Sequence, residues 1–148
     1  MAQLKNEMKF EFISKSANES FARATVAAFV AQLDPTISEI ADIKTAISEA
    51  VTNCIVHAYK HGLGYIYISV KIFDNGQVTI RIRDKGCGIE NISQAMEPLY
   101  TTGGAERAGL GFAVMQNFMD NIKVISKVDR GTTITLTKNI IPRVAKNG

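Results

Sequence analysis

The chain reads as an α+β fold: a two-layer sandwich in which a mixed, mostly antiparallel sheet carries helices on one face. Three observations predict it. Alternating, β-branched segments occur as two hairpin pairs, long amphipathic helical segments precede and separate them, and strong turn signals mark the junctions. The order along the chain is strand, helix, helix, hairpin, helix, hairpin. At 148 residues with 46% hydrophobic composition, a single domain spanning 1–148 can bury a core without metal or disulfide support.

Residues 8–14 alternate, with Met8, Phe10 and Phe12 against Lys9 and Glu11, as a half-buried strand does. Ser16 followed three residues later by Glu19 predicts a capping box opening a helix that runs to about Leu33, with Phe21, Val26, Phe29, Val30 and Leu33 as its apolar face. Asp34-Pro35 stops it, because proline disfavours helix at the residue before it. Thr36 and Glu39 form a second capping box. The helix it opens is the longest, to about Tyr59, with Ile40, Ile43, Ile47, Ala50, Val51 and Cys54 on one side and Gly62 and Gly64 beyond its end. Residues 65–73 and 77–83 are strands joined at Asp74-Asn75-Gly76, a strong hairpin signal. Residues 84–111 read as glycine-rich loop with a short helix at 92–96. A last helix over 112–119 leads to strands 122–128 and 132–138, which turn at Asp129-Arg130-Gly131. Residues 139–148 are expected to fray.

Composition excludes several classes. The net charge is +3 with scattered lysines and arginines, too weak a bias to argue for nucleic acid. The best apolar run, 24–31, falls far short of a membrane span, and the first residues lack a secretory pattern. Cys54 and Cys87 have neither a metal-binding spacing nor an obvious disulfide role, so reduced thiols in a cytoplasmic protein are expected, with no chemistry assigned to either.

Four local features bear on chemistry. Glu49 and Asn53 lie four apart on the long helix and project together, offering a proton acceptor and a neutral oxygen ligand for a hard cation; a solvated helix face has the same spacing. His57 continues that line. Asp84-Lys-Gly86-Cys-Gly88 follows a strand, placing a carboxylate acceptor in a cleft and removing side chains that would block a ligand; an ordinary turn is the alternative. Gly103-Gly104 and Gly109-Leu-Gly111 precede the last helix, where free N–H groups and the helix dipole favour a phosphate, and residues 98–108 have the composition of a mobile flap. Gly131-Thr132 opens the last strand. No P-loop and no dinucleotide fingerprint is present.

Taken in order, these features resemble the ordered sequence boxes of the GHKL ATPases, a superfamily that takes in gyrase, the large heat-shock chaperones, mismatch-repair ATPases and histidine kinases. Asn18-Glu-Ser-Phe-Ala-Arg23, Ala27-Ala-Phe, Ala31-Gln-Leu-Asp-Pro-Thr36, Ser48-Glu-Ala-Val-Thr-Asn53, Glu106-Arg107 and Asn117-Phe-Met-Asp120 carry a closer resemblance to the anti-sigma F family of sporulating Gram-positive bacteria. These are serine kinases that also hold a sigma factor inactive. The resemblance implies ATP or ADP with Mg²⁺ as ligands, sigma factor F and an anti-anti-sigma protein as partners, and a homodimer. It implies Glu49 as general base, Asn53 as Mg²⁺ ligand, and Asp84 as acceptor for the adenine amine. Gly86 and Gly88 would shape that pocket and Thr132 would support a water-mediated contact. Gly109 and Gly111 would offer N–H groups to the phosphates, Arg107 would stabilise the transferring phosphoryl group, and Arg23 would meet a protein partner. Where the family has a Lys-Pro-Glu-Leu run, this chain has Gly103-Gly104-Ala105 and is one residue shorter, which implies a more flexible lid. Two further readings stay open: a related stress-response anti-sigma kinase, and a nucleotide-gated binding module without catalysis.

Overall fold

The structure, a computed structural model, describes residues 2–96 and 103–142. Its elements are β1 (Leu4–Ile13), α1 (Ala17–Val30), α2 (Ile37–Asn53), β2 (Tyr65–Phe73), β3 (Gln77–Asp84), α3 (Ile92–Ala95), α4 (Gly103–Phe118), β4 (Asn121–Lys127) and β5 (Gly131–Asn139). The strands form one sheet in the order β1-β2-β3-β5-β4. Every neighbouring pair is antiparallel, so the mixed sheet expected from the element order is replaced by a purely antiparallel one. The reason is the helical excursion between β1 and β2. The helices α1 and α2 carry the chain out and back to the end where β1 finished, and the two strand ends are tied there by Ser14 N–H to Gly64 O at 2.8 Å and Gly64 N–H to Ser14 Oγ at 3.0 Å.

One face of the sheet is closed and the other open, as period-two burial requires. Ile66, Ile68, Val70 and Ile72 of β2, Val78, Ile80 and Ile82 of β3, and Ile134 and Leu136 of β5 are buried. They share one core with Ile43, Ile47 and Val51 of α2, Val26 and Val30 of α1, and Phe112 and Met115 of α4. The helix α2 packs between α1 and α4. Lys71, Arg81 and Arg83 on the opposite face are exposed. Among the described residues no helix is long and apolar enough to cross a membrane.

Thr36 caps α2 as its sequence predicts. Its Oγ1 accepts from Glu39 N–H at 3.1 Å, while Glu39 Oε1 accepts from Thr36 N–H at 2.8 Å. The matching box at Ser16 does not form. Ser16 already has helical dihedrals, and its hydroxyl makes no capping bond, because a cap needs an extended residue whose side chain can turn back. The Glu19 carboxylate is engaged elsewhere, by Arg23 at 3.0 Å. After α1 a short 3₁₀ turn, Ala31–Leu33, ends at Asp34 in the left-handed region (φ 54°).

Four boundaries differ from expectation. Strand β1 begins at Leu4 rather than near Met8, because its polar early residues pair with β2 as far as Phe73. The helix expected to run to Tyr59 is α-helical only to Asn53 and continues as a π turn, Cys54–Ala58. The helix expected at 112–119 starts at Gly103, since Ala105, Glu106, Arg107, Ala108 and Leu110 are strong helix formers that offset the intervening glycines. Ile140, placed in the fraying tail, is only 3% exposed; its N–H bonds Gly76 O at 2.9 Å, and Ile141 N–H bonds Glu39 Oε2 at 3.1 Å. Residues 143–148 of that tail lie outside the described residues.

Candidate functional site

Three chain junctions meet at one end of the closed face. The first is the end of β3. Asp84 pairs with Thr132 across the β3–β5 ladder, which draws its carboxylate inward to 5% exposure. Its Oδ1 accepts from Gly86 N–H at 2.9 Å and Thr132 N–H at 3.2 Å, and its Oδ2 accepts from the Cys54 thiol at 3.6 Å. Burial pushes the Asp84 carboxyl above its ordinary range, and these three donors act against that rise by favouring the ionised form. The Cys54 thiol is pushed well up by burial and then by the charge of Asp84, so it is an S–H donor at neutral pH.

The glycines after Asp84 are there for the protein's own packing. A Cβ on Gly86 would strike the Ala58 carbonyl. One on Gly88, whose φ is +76°, would strike the Lys127 carbonyl. Gly88 does line the cleft, but clearing space for a ligand is not what these positions first require. Gly131 repeats the pattern: its φ is +124°, and a Cβ would strike the Asp84 carbonyl. Such close approaches leave glycine as the only residue that fits.

The second junction is the π turn. Its closing bond, Tyr59 N–H to Cys54 O at 3.0 Å, spans one residue more than an α turn. The turn presents Ala58 O to Cys87 N–H at 3.1 Å and His57 O to the Cys87 thiol at 3.2 Å, pinning the glycine loop. Tyr59 adds a strap: its hydroxyl donates to Tyr65 O at 2.7 Å and accepts from Lys85 N–H at 2.6 Å. The third junction is the α2–α4 contact. A Cβ on Gly111 would lie 3.1 Å from both terminal atoms of Asn53 and 3.4 Å from Glu49 Oε2, so Glu49 and Asn53 face α4 together as their spacing predicts. Asn53 Nδ2 is buried with no hydrogen-bond partner among the described residues.

Between the junctions is a cavity of about 50 Å³ that Asn53, Cys54, Asp84, Gly88, Phe112 and Thr132 help to line. A larger cleft, about 270 Å³, lies on the open face of the sheet beside Lys9, Tyr67 and Arg83 and contains none of the residues singled out from sequence. Of the residues that the four sequence features supplied, the structure thus brings Asn53, Asp84, Gly88 and Thr132 around one cavity, with Glu49 and Gly111 beside Asn53. Gly109 and Gly111 are not at a helix N-terminus, however. With α4 starting at Gly103, they sit in the helix interior, where N–H groups pair within the helix. The Arg107 side chain and residues 98–102 of the expected flap lie outside the described residues. Arg23 stands apart, at the α1–α2 contact, donating to Glu19 and to Ser48 Oγ at 3.1 Å.

Sequence reasoning missed Ser126. Its hydroxyl accepts from Ile89 N–H at 2.7 Å, lies 2.7 Å from Thr132 Oγ1 and 3.1 Å from Gly131 O, and so ties the glycine loop to the start of β5. An inward serine in a β-strand is the only signal it leaves. The strap made by Tyr59 and the thiol contact of Cys54 leave no local signal at all.

The buried Asn53 amide gives a test of fit for a bound group. An orphaned N–H donor costs about 1–3 kcal/mol unless an acceptor satisfies it, and a phosphate oxygen suits that place. No cluster of three or more His, Cys, Asp or Glu able to hold a metal occurs among the described residues. A Mg²⁺ here would rest on the Asn53 amide oxygen, phosphate oxygens and water, as a cation that keeps much of its hydration allows.

Known proteins share this sequence pattern and this fold. The sequence profile described as a histidine kinase-like ATPase domain matches residues 13–138. A protein named anti-sigma F factor from Caldanaerobacter subterraneus subsp. tengcongensis is 59% identical over 136 residues, covering 91% of this chain and 94% of its own length. Its namesake from Priestia megaterium is 52% identical over 139 residues, covering 93% and 95%. Among solved structures, the RsbU and RsbW domains of Rv1364c from Mycobacterium tuberculosis superpose with a TM-score of 0.68 at 22% identity, over 92% of this chain and 33% of that one. A histidine kinase domain from Erythrobacter litoralis gives 0.55 at 16% identity, over 82% of this chain and 60% of that one. The chain belongs to the histidine kinase-like (GHKL) ATPase superfamily and, within it, to the anti-sigma F factor family.

Proposed function

We propose that this chain is an anti-sigma factor and protein serine kinase: it holds sigma factor F inactive and, with ATP and Mg²⁺, phosphorylates a serine of the cognate anti-anti-sigma protein in the cytoplasm. The observation that carries the reading is that Glu49 and the orphaned Asn53 amide face the same side of α4, one junction away from a buried, hydrogen-bonded Asp84. The names of relatives at 52% and 59% identity support the sigma factor as a partner.

In this reading Asp84 accepts from the adenine amine, and Thr132 holds a water beside it. Asn53 holds Mg²⁺, which when bound offsets charge on the phosphates. Glu49 takes the proton of the incoming serine hydroxyl as its oxygen forms the new bond to the γ-phosphorus. The bond from that phosphorus to the bridging oxygen breaks, and ADP leaves with the electron pair. Arg107, carried on α4, balances charge on the phosphoryl group. For Gly109 and Gly111 to direct N–H groups at the phosphates, the first turns of α4 unwind. Gly103, Gly104 and Gly109 lower the cost, since each weakens a helix by about 1 kcal/mol relative to alanine.

Arg23 is held along α1 by Glu19 and Ser48 while 39% of its side chain stays exposed, a pre-ordered cation suited to an acidic partner surface. A homodimer belongs to the same reading. The test is incubation with γ-labelled ATP and candidate anti-anti-sigma proteins, followed by mapping of the label. Transfer to one serine is expected. Tight ATP binding without transfer to any candidate would favour a nucleotide-gated module instead.

A further inference from the structure

The cleft contains one polar contact that the proposed reaction leaves unused. Cys54 follows Asn53 directly and opens the π turn, with only 2% of its surface exposed. A buried thiol usually serves as a small apolar filler. This one lines the cleft and aims its S–H at Asp84 Oδ2.

The lone pairs of Asp84 show what that contact does. An ionised carboxylate offers about four acceptor sites, two on each oxygen. The two backbone donors, Gly86 N–H and Thr132 N–H, fill those of Oδ1. On Oδ2 the thiol takes one, which leaves a single acceptor site for a ligand. A ligand edge with one N–H at that place is matched. An edge with no donor leaves the site unpaired, and an edge carrying a carbonyl meets like partial charge.

We propose that Cys54 is a positioning residue that fixes the carboxylate plane of Asp84 and so selects 6-aminopurine nucleotides. The assignment rests on the nucleotide-binding reading above. The thiol is well placed to hold that plane. Its backbone N–H is bonded to Ala50 and Val51 carbonyls at the end of α2, so the S–H is anchored to a helix rather than to a loop. Its raised pKa keeps the donor proton in place at neutral pH.

The experiment measures ATP and purine riboside triphosphate, which lacks the 6-amino group, by calorimetry against the wild type, Cys54→Ala and Cys54→Ser. Thermal melts establish that each variant is folded. The wild type should prefer ATP. Cys54→Ala should narrow that preference about two- to fivefold, as the loss of one modest hydrogen bond implies, by weakening ATP while leaving the amine-free nucleotide unchanged. Cys54→Ser, which keeps a donor, should restore the preference. The proposal is overturned if Cys54→Ala keeps the full preference, if it weakens both nucleotides equally, or if serine fails to rescue. A wild type that binds neither nucleotide would overturn the nucleotide reading and this assignment with it.

Discussion

At the Asp84 end of the cleft the protein itself satisfies the polar groups: two backbone N–H groups and a thiol converge on one carboxylate, and Ser126 and Tyr59 brace the loops that carry them. At the Asn53 end, one helical turn from Glu49, a buried amide has no partner among the described residues. The neighbouring helix α4 meets it through a glycine and carries three more in its first half. The first end is finished in the folded chain; the second leaves a donor open to a ligand. In the proposed reading, that contrast gives base recognition to the braced end and phosphate chemistry to the open one. It matches what each needs, since a base is read by fixed acceptors whereas phosphoryl transfer requires groups that close around the reacting atoms.

The sharpest way to separate the two ends is Glu49→Gln. Phosphotransfer should fall by about 10²- to 10⁴-fold, the usual loss of a general base, with ATP affinity unchanged by calorimetry. Unchanged transfer rates would remove Glu49 from the chemistry. Next is Gly131→Ala, which forces a side chain into the left-handed region and onto the Asp84 carbonyl. Urea unfolding should show a loss of about 3 kcal/mol; a loss under about 1 kcal/mol, within the range of an ordinary substitution, would show that the Asp84 end yields more easily than its packing implies. The smallest effect is expected at Gly111→Ala. Alanine favours helix by about 1 kcal/mol over glycine, so the melting temperature should hold or rise. Its Cβ would press on Asn53 at 3.1 Å and should weaken Mg·ATP about tenfold, roughly 1.4 kcal/mol. Full affinity would mean that the Asn53 end adjusts freely.

Sequence made the local parts of this molecule legible and left the long-range parts hidden. Thr36 caps its helix as read because its partner, Glu39, is only three residues away. The same pattern fails at Ser16, where Glu19 pairs with Arg23 instead. Spacing alone brings Glu49 and Asn53 to one side of α2, and the Asp84–Gly88 run to a strand end. The π turn has no local signature, because its extra residue is stabilised by Cys87 and Gly86 arriving from β3. The Ser126 tie to the glycine loop and the burial of Ile140 are unreadable for the same reason: the partner is Ile89, 37 residues distant, in the first case and Gly76 in the second. Gly86 and Gly88 stand out in the sequence as space for a ligand, yet both are fixed first by carbonyls of the protein.

The measurement that bears most directly on the two-ended pocket is ATP titration by calorimetry, with and without Mg²⁺, on the wild type, Asp84→Asn and Asn53→Ala. Asp84→Asn should weaken ATP about ten- to a hundredfold in both conditions, because a charged acceptor is lost. Asn53→Ala should forfeit mainly the increment that Mg²⁺ adds. Wild-type affinity in Asp84→Asn, or the same response to Mg²⁺ in both variants, would contradict the division of the site into a base-reading end and a phosphate end.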